Sequence, residues 1–204
     1  MMRKKPMLAY PVSAKPIDYS KPTFIQPKLD GVRCVIQYDF VNRKVTAYSR
    51  TGKEWKNIRH IEDQLTAFFA IYPTVILDGE LYNHDLRDNF EKIISLVRKT
   101  KPTAEDRVEA SELTQFHCYD IIDEKMPFHL RIDFVNEALM LPGDSIYIVD
   151  TEMVEHEEHA QSAHKENLKY GYEGSIVRTN DTYACKRSHN LRKFKDFHDA
   201  EATL

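Results

Sequence analysis

The stretch that most constrains this chain is Pro27-Lys28-Leu29-Asp30-Gly31-Val32-Arg33. Thr23-Phe24-Ile25-Gln26 leads into it and Cys34-Val35-Ile36-Gln37-Tyr38 leaves it. Both flanks read as strands, and Asp30-Gly31 between them is a hairpin-type turn signal. Lys28 is therefore expected at a strand end, held by a sheet, beside a glycine that lets a ligand approach the backbone. Taken locally, the same residues also describe an ordinary Asp-Gly hairpin next to an ordinary lysine.

At 204 residues the chain suits one large domain, or one domain with a small appendage. Hydrophobic residues make up 42%, enough for a sizeable core and against disorder. No apolar run approaches the ~20 residues of a membrane span. The basic start Met1-Met2-Arg3-Lys4-Lys5 is followed by no long apolar stretch, so it is not a signal peptide. Cys34, Cys118 and Cys185 are far apart and read as reduced, buried thiols of an intracellular protein. The formal net charge is −3, so any attraction to nucleic acid must come from a local basic face or another domain.

Along the chain the signals are mixed. Residues 1–22 carry four of the nine prolines and are expected to form an extended lead-in to a domain covering 23–204. Strand patterns cover 23–29, 32–39 and 45–50. Ile58, Ile61, Leu65 and Phe68 keep a helical spacing over 57–71, with Asn57 as a cap. Val75-Ile76-Leu77 is a short buried strand, and 88–100 is a second helix capped by Asp88. Residues 101–112 are charged and read as an exposed, mobile loop. A strand over 115–122, a helix over 129–141 stopped by Pro142, a strand over 146–149, a polar helix over 155–170 and strands over 175–178 and 191–196 complete the series. This order gives an α+β fold with largely antiparallel sheets.

The residues with chemistry then fall into a recognisable order. Lys28-x-Asp30-Gly31-x-Arg33 resembles motif I of the covalent nucleotidyltransferases, the family of ATP-dependent DNA ligases, RNA ligases and mRNA capping enzymes. Ser49-Arg50-Thr51-Gly52 resembles motif Ia, and Leu77-Asp78-Gly79-Glu80-Leu81 motif III. Phe116-His117-Cys118-Tyr119-Asp120-Ile121-Ile122 resembles motif IIIa, Tyr172-Glu173-Gly174-Ser175-Ile176-Val177-Arg178 motif IV, and Lys193-Phe194-Lys195 motif V. The resemblance spans positions 28 to 195 and implies the nucleotidyltransferase fold: two antiparallel sheets with flanking helices around a nucleotide cleft.

It also implies roles. Lys28 is the nucleophile that takes up AMP from ATP, and it must attack as a neutral amine although a free lysine titrates at about 10.4. Desolvation and nearby cations lower that value. Lys193 and Lys195 share a strand face, so they can supply the positive field and hold the α-phosphate. Without the family context they are a charged strand at a sheet edge. Glu80 and Glu173 can accept from ribose hydroxyls or hold Mg²⁺ through water, or else cap their own turns. Tyr119 stacks on the purine, or is a core tyrosine. Arg33 and Arg50 clamp ribose or phosphate, or form surface ion pairs. Gln26 lies on the strand face of Lys28 and can read the adenine edge. The role of Arg178 is open.

His156-Glu157-Glu158-His159 misses the H-E-x-x-H metal spacing, and with His164 it reads as a solvated helix face. There is no Gly-rich phosphate loop. The expected function is therefore that of the adenylation domain of an ATP-dependent DNA ligase, using ATP and Mg²⁺ on nicked duplex DNA. The protein is expected to be a monomer with no membrane attachment, in the cytoplasm or, for a viral protein, in the host cell. The alternatives are an RNA ligase, a capping guanylyltransferase, or a silent nucleic-acid-binding module of the same fold. Family enzymes carry an OB-fold barrel after motif V. This chain ends at Leu204, so that barrel is expected to be absent from it.

Overall fold

The computed structural model describes residues 1–139 and 143–195. The end of the helix expected over 129–141, its stop at Pro142, the last residue of the strand expected over 191–196 and the terminus at 199–204 lie outside the described residues.

Two sheets face each other. The first has the order β1 (Leu8–Pro11), β10 (Arg187–Phe194), β9 (Gly174–Thr179), β2 (Thr23–Lys28), β8 (Glu152–Val154). The second has the order β4 (Lys44–Tyr48), β3 (Val32–Asp39), β5 (Ile76–Tyr82), β6 (Gln115–Ile121), β7 (Ile146–Ile148). Most pairs are antiparallel, but β1–β10 and β6–β7 are parallel edge pairs. Each parallel pair joins strands separated by a long connection, as parallel pairing requires.

The Asp30-Gly31 turn is not a hairpin. β2 pairs with β8 and β9, whereas β3 pairs with β4 and β5, so Leu29–Gly31 carries the chain from one sheet to the other. Gly31 is required by crowding: a Cβ there would lie 2.5 Å from Cγ of Glu80 and 2.6 Å from the Leu81 carbonyl oxygen. β5 likewise runs on through Asp78-Gly79-Glu80 to Tyr82, with a bulge at Asp78/Gly79, rather than stopping at Leu77.

Strand alternation sorts the side chains. On β3, Cys34 and Ile36 join the main core with Leu77, Leu81, Phe116 and Cys118, against α1 (Arg59–Gln64), α2 (Thr66–Ile71), α3 (Phe90–Val97) and α5 (Phe128–Ala138). On the first sheet, Ile25 and Val177 pack beneath α6 (Glu157–Lys169). Each such side chain contributes roughly 1.5–3 kcal/mol on burial. The opposite faces turn toward one another. Met7, Val35, Ile76, Ile122, Tyr183 and Leu191 close one end of the space between the sheets.

The helix expected over 57–71 is divided at Leu65. Asn57 does not cap it; its amide nitrogen donates to the Leu96 and Asp106 carbonyls instead. Asn89, not Asp88, precedes α3. The loop expected over 101–112 is largely a helix, α4 (Ala104–Leu113). Its apolar residues Ala104, Val108, Ala110 and Leu113 form no single stripe and only Ala110 is buried, so it shows no apolar period. It is started by a capping box between Thr103 and Asp106. His164 is 3% exposed, not solvated. Cys185 is half-buried, unlike Cys34 and Cys118.

Candidate active site

The facing sides of the two sheets frame a cleft of about 250 Å³ lined by Gln26, Lys28, Arg33, Arg50, Glu80, Tyr119, Arg178 and Lys193, among others. The first sheet supplies Gln26 and Lys28 from β2, Arg178 from β9 and Lys193 from β10. The second supplies Arg33, Glu80 and Tyr119 from β3, β5 and β6.

Lys28 is the last residue of β2, as expected. Its ammonium pairs with the Glu173 carboxylate, and Lys195 pairs with the other oxygen of that carboxylate. Glu173 is delivered by the end of α6. The Gly171 amide donates to the Leu168 carbonyl and the Tyr172 amide to the Asn167 carbonyl, with Gly171 at φ +86°, a Schellman termination. The Glu173 amide then donates to the Lys28 carbonyl at 3.2 Å. Gly174 follows at φ +151°, where a Cβ would run into the Phe194 carbonyl oxygen. His164 stacks flat on Phe194 with ring centroids 3.9 Å apart and bonds Ser175 Oγ at 3.0 Å, so α6 supports the start of β9, just after Glu173, and the end of β10, beyond which Lys195 lies rather than on the strand as expected.

Burial pushes the Lys28 amine below the ordinary lysine range, while Glu80 and Asp30 oppose it. Burial also lowers Lys195, with Lys28 adding to the effect. Glu80 is pushed up to about 7 by burial, against the pull of Arg33, the Tyr119 hydroxyl and Lys28. The Tyr119 hydroxyl lies 3.1 Å from both Glu80 Oε2 and the Gly79 carbonyl oxygen and shares its one hydrogen between them. Its ring is flanked by the guanidinium carbons of Arg33 at 5.1 Å and Arg178 at 5.5 Å.

Arg33 lines the cleft but is bound to Asp78, Nε to Oδ1 at 2.7 Å. Burial works against its charge and Asp78 more than restores it. Gln26 is engaged on every side by Tyr119, Thr151 and Arg178. Arg50 is exposed on the turn after β4, where the cleft opens into a wider groove of about 690 Å³ that also carries Ser49, Lys53, Trp55, Phe90 and Arg98.

The pattern reading overlooked Asp78, Tyr183 and Thr151. Tyr183 donates to Asp78 Oδ2 at 2.6 Å and accepts from the Met7 amide at 2.6 Å, which ties the N-terminal segment to the site. Its place in a loop gave no strand or motif signal. Asp78 stood in view inside Asp-Gly-Glu.

Among the described residues, no group of three or more His, Cys, Asp or Glu is arranged to hold a metal by itself. Glu80 and Glu173 flank Lys28 from opposite sheets. Two carboxylates suit Mg²⁺, which is commonly bound by one or two of them together with substrate phosphates and water. Among the described residues no helix is long and apolar enough to cross a membrane.

The family model described as "ATP dependent DNA ligase domain" matches residues 6–195. The DNA ligase of African swine fever virus (isolate Pig/Kenya/KEN-50/1950) is 30% identical over 190 residues, covering 88% of this chain and 43% of that protein. The chain thus spans less than half the length of this curated relative. Among solved structures, the Chlorella virus DNA ligase-adenylate superposes with TM-score 0.68 at 20% identity, covering 94% of this chain and 68% of the other. The ATP-dependent DNA ligase from bacteriophage T7 in complex with ATP superposes with TM-score 0.71 at 16% identity, covering 94% and 68%. At those identities the structural likeness establishes the fold.

Proposed function

The chain belongs to the family of ATP-dependent DNA ligase domains, and on that premise we propose that it is the self-adenylating part of a DNA-joining enzyme. Lys28 Nζ, once deprotonated, attacks the α-phosphorus of ATP. A P–N bond forms, the P–O bond to the β-phosphate breaks, and pyrophosphate leaves with the electron pair. A 5′-phosphate oxygen at a nick then takes the AMP, and the P–N bond returns its electrons to the amine. Finally the 3′-hydroxyl attacks that 5′-phosphorus, a phosphodiester forms, and AMP leaves.

The observation that carries this reading is the surroundings of Lys28: a lysine at a strand end, its amine made less basic by burial, beside Lys193 and Lys195. Glu173 pairs with Lys28 and Lys195 together, so phosphates compete with it for both ammonium groups. Glu80 and Arg33 suit the ribose, Tyr119 the base, and Arg50 the entrance. Mg²⁺, held by Glu80 or Glu173, would neutralise phosphate charge. The groove bearing Arg50, Lys53 and Arg98 suits a DNA backbone, although the chain is net acidic. We place the protein inside a cell, acting as a monomer.

The test is intact mass after incubation with ATP and Mg²⁺. The wild-type chain gains one AMP; Lys28→Ala and Lys28→Arg gain none, because arginine keeps its proton at any usable pH. Normal labelling of Lys28→Arg removes Lys28 from the mechanism.

A further inference from the structure

We propose that His84 is a positioning residue: it latches the turn after α6 to the end of β5, across the two sheets, and so keeps the Glu173 carboxylate on Lys28 and Lys195. That this placement serves AMP transfer rests on the function proposed above.

The turn needs a tie. Tyr172 and Glu173 sit between Gly171 at φ +86° and Gly174 at φ +151°. Glycines flanking the segment on both sides leave it free to swing once its anchors are lost. Its backbone anchors are the Schellman bonds of α6 and the bond from the Glu173 amide to the Lys28 carbonyl at 3.2 Å. His84 opens the short 3-10 helix His84–Asn89, which follows β5. Its Nε2 bonds the Tyr170 carbonyl at 3.0 Å, one residue before Gly171. Its ring lies against that of Tyr172, centroids 4.7 Å apart. The Arg87 side chain donates to the His84 carbonyl and covers Gly171, where a Cβ would lie 2.9 Å from its Cδ and Nε. The chain after β5 thus touches Tyr170, Gly171 and Tyr172 in turn, and Glu173 is next.

The chemistry fixes the ring. A carbonyl only accepts, so Nε2 carries the hydrogen, and in the neutral ring Nδ1 is then bare. Nδ1 accepts from the Tyr82 hydroxyl at 2.7 Å. Burial pushes that hydroxyl up to about 12, so it keeps its hydrogen to give. Tyr82 is 3% exposed, with His117 edge-on to its ring at 5.3 Å. A buried, propped tyrosine therefore sets both the tautomer and the aim of His84.

Glu173 then meets Lys28 with one oxygen and Lys195 with the other. A carboxylate held between two ammonium groups sets their spacing and the direction of the attacking amine. A misplaced reacting atom slows the chemical step. The latch is accordingly expected to act on the rate of AMP transfer and not on nucleotide affinity.

The experiment compares His84→Asn with His84→Gln in the full chain, with folding checked by thermal melt. Asparagine puts its oxygen near the place of Nδ1, for Tyr82, and stops short of Tyr170. Glutamine carries an NH₂ to the place of Nε2 and keeps the bond to Tyr170. The readouts are the single-turnover rate of AMP uptake at saturating ATP and Mg²⁺, the affinity for the non-transferable α,β-methylene ATP, and amide exchange over Tyr170–Gly174 by mass spectrometry. His84→Asn is expected to be about tenfold slower, the factor for one hydrogen bond lost, with affinity within about twofold of wild type and faster exchange in the turn. His84→Gln should restore the rate to within about threefold and slow the exchange again. A His84→Asn chain with wild-type rate and exchange, or a His84→Gln chain as slow as His84→Asn, overturns this inference alone. If the wild type takes up no AMP, the adenylation reading falls, and the exchange comparison decides the latch by itself.

Discussion

Arg33 grips Asp78 with two parallel hydrogen bonds, Nε to Oδ1 at 2.7 Å and Nη2 to Oδ2 at 2.6 Å. Asp78 is fully buried, Tyr183 donates a third bond to it at 2.6 Å, and the Met7 carbonyl accepts from Arg33 at 3.2 Å. Arg33 therefore reaches the cleft as a guanidinium already oriented beside the Tyr119 ring. A prepositioned donor costs less to engage than a free one.

Removing one partner of this pair leaves a charge without its counterion. Asp78→Asn is expected to lose about 3–5 kcal/mol in urea denaturation. Arg50→Gln, at an exposed turn, should stay within about 0.5 kcal/mol. A loss below 1 kcal/mol for Asp78→Asn would mean that the pair is incidental.

Tyr119 combines a ring with a hydroxyl that restrains Glu80. Tyr119→Phe should hold ATP within a few-fold of wild type. Tyr119→Ala should weaken binding by roughly 1–3 kcal/mol, the range for base stacking on an aromatic side chain. Indistinguishable titrations for wild type and Tyr119→Ala would reduce Tyr119 to a core residue.

Glu62 lies on α1, and its carboxylate accepts from the Ala47 amide at 3.0 Å. Burial pushes it up to about 7 from an ordinary 4.5. Between those values the folded chain binds more protons than the unfolded chain, so stability falls as pH rises. Glu62→Gln keeps an acceptor for Ala47 and removes the titration. Thermal melts should show the variant ahead of wild type at pH 8, by about 1–3 kcal/mol, with the advantage gone below pH 4. A constant difference across pH would refute the assignment.

Thr103 starts α4: its hydroxyl accepts from the Asp106 amide at 3.2 Å, and the Asp106 carboxylate accepts from the Thr103 amide at 2.9 Å. Thr103→Ala should cost about 1 kcal/mol, with Thr103→Ser close to neutral. Equal chemical-denaturation midpoints for Thr103→Ala and wild type would leave the capping box without energetic weight.

The residues that the fold brings to the cleft were legible because they sit in short stretches: Lys28 before Asp30-Gly31, Glu80 after Asp78-Gly79, and Lys193 in the chain's last strand pattern. What connects those stretches was not. A turn dipeptide reports local backbone and is silent about which sheet the next strand joins, so Asp30-Gly31 read as a hairpin. The bonds of Arg33 depend on β3–β5 register, which pairs Arg33 with Glu80 and Val35 with Asp78. Nothing near position 33 encodes that pairing. α4 was hidden by its polarity, leaving Thr103 and Asp106 as its signal. His164 was misread for the same reason: its helix is polar, yet it packs on Phe194.

The passage of the chain from one sheet to the other at Leu29–Gly31 gives the molecule two leaves bound along a spine. Arg178 to Asp120 and Gln26 to the Tyr119 carbonyl cross that spine as polar stitches, beside a small apolar cluster. Each leaf also keeps its own oily backing, under α6 or against the other helices. Such a book can open before its pages dissolve, since cooperative units in a protein come apart at different free energies. On warming or in dilute denaturant, the first loss would be the spacing between Lys28 on one leaf and Glu80 on the other, while both leaves still shield their amides from exchange. The working limit of the cleft would then be set by the binding of the book, well below the melting of its pages.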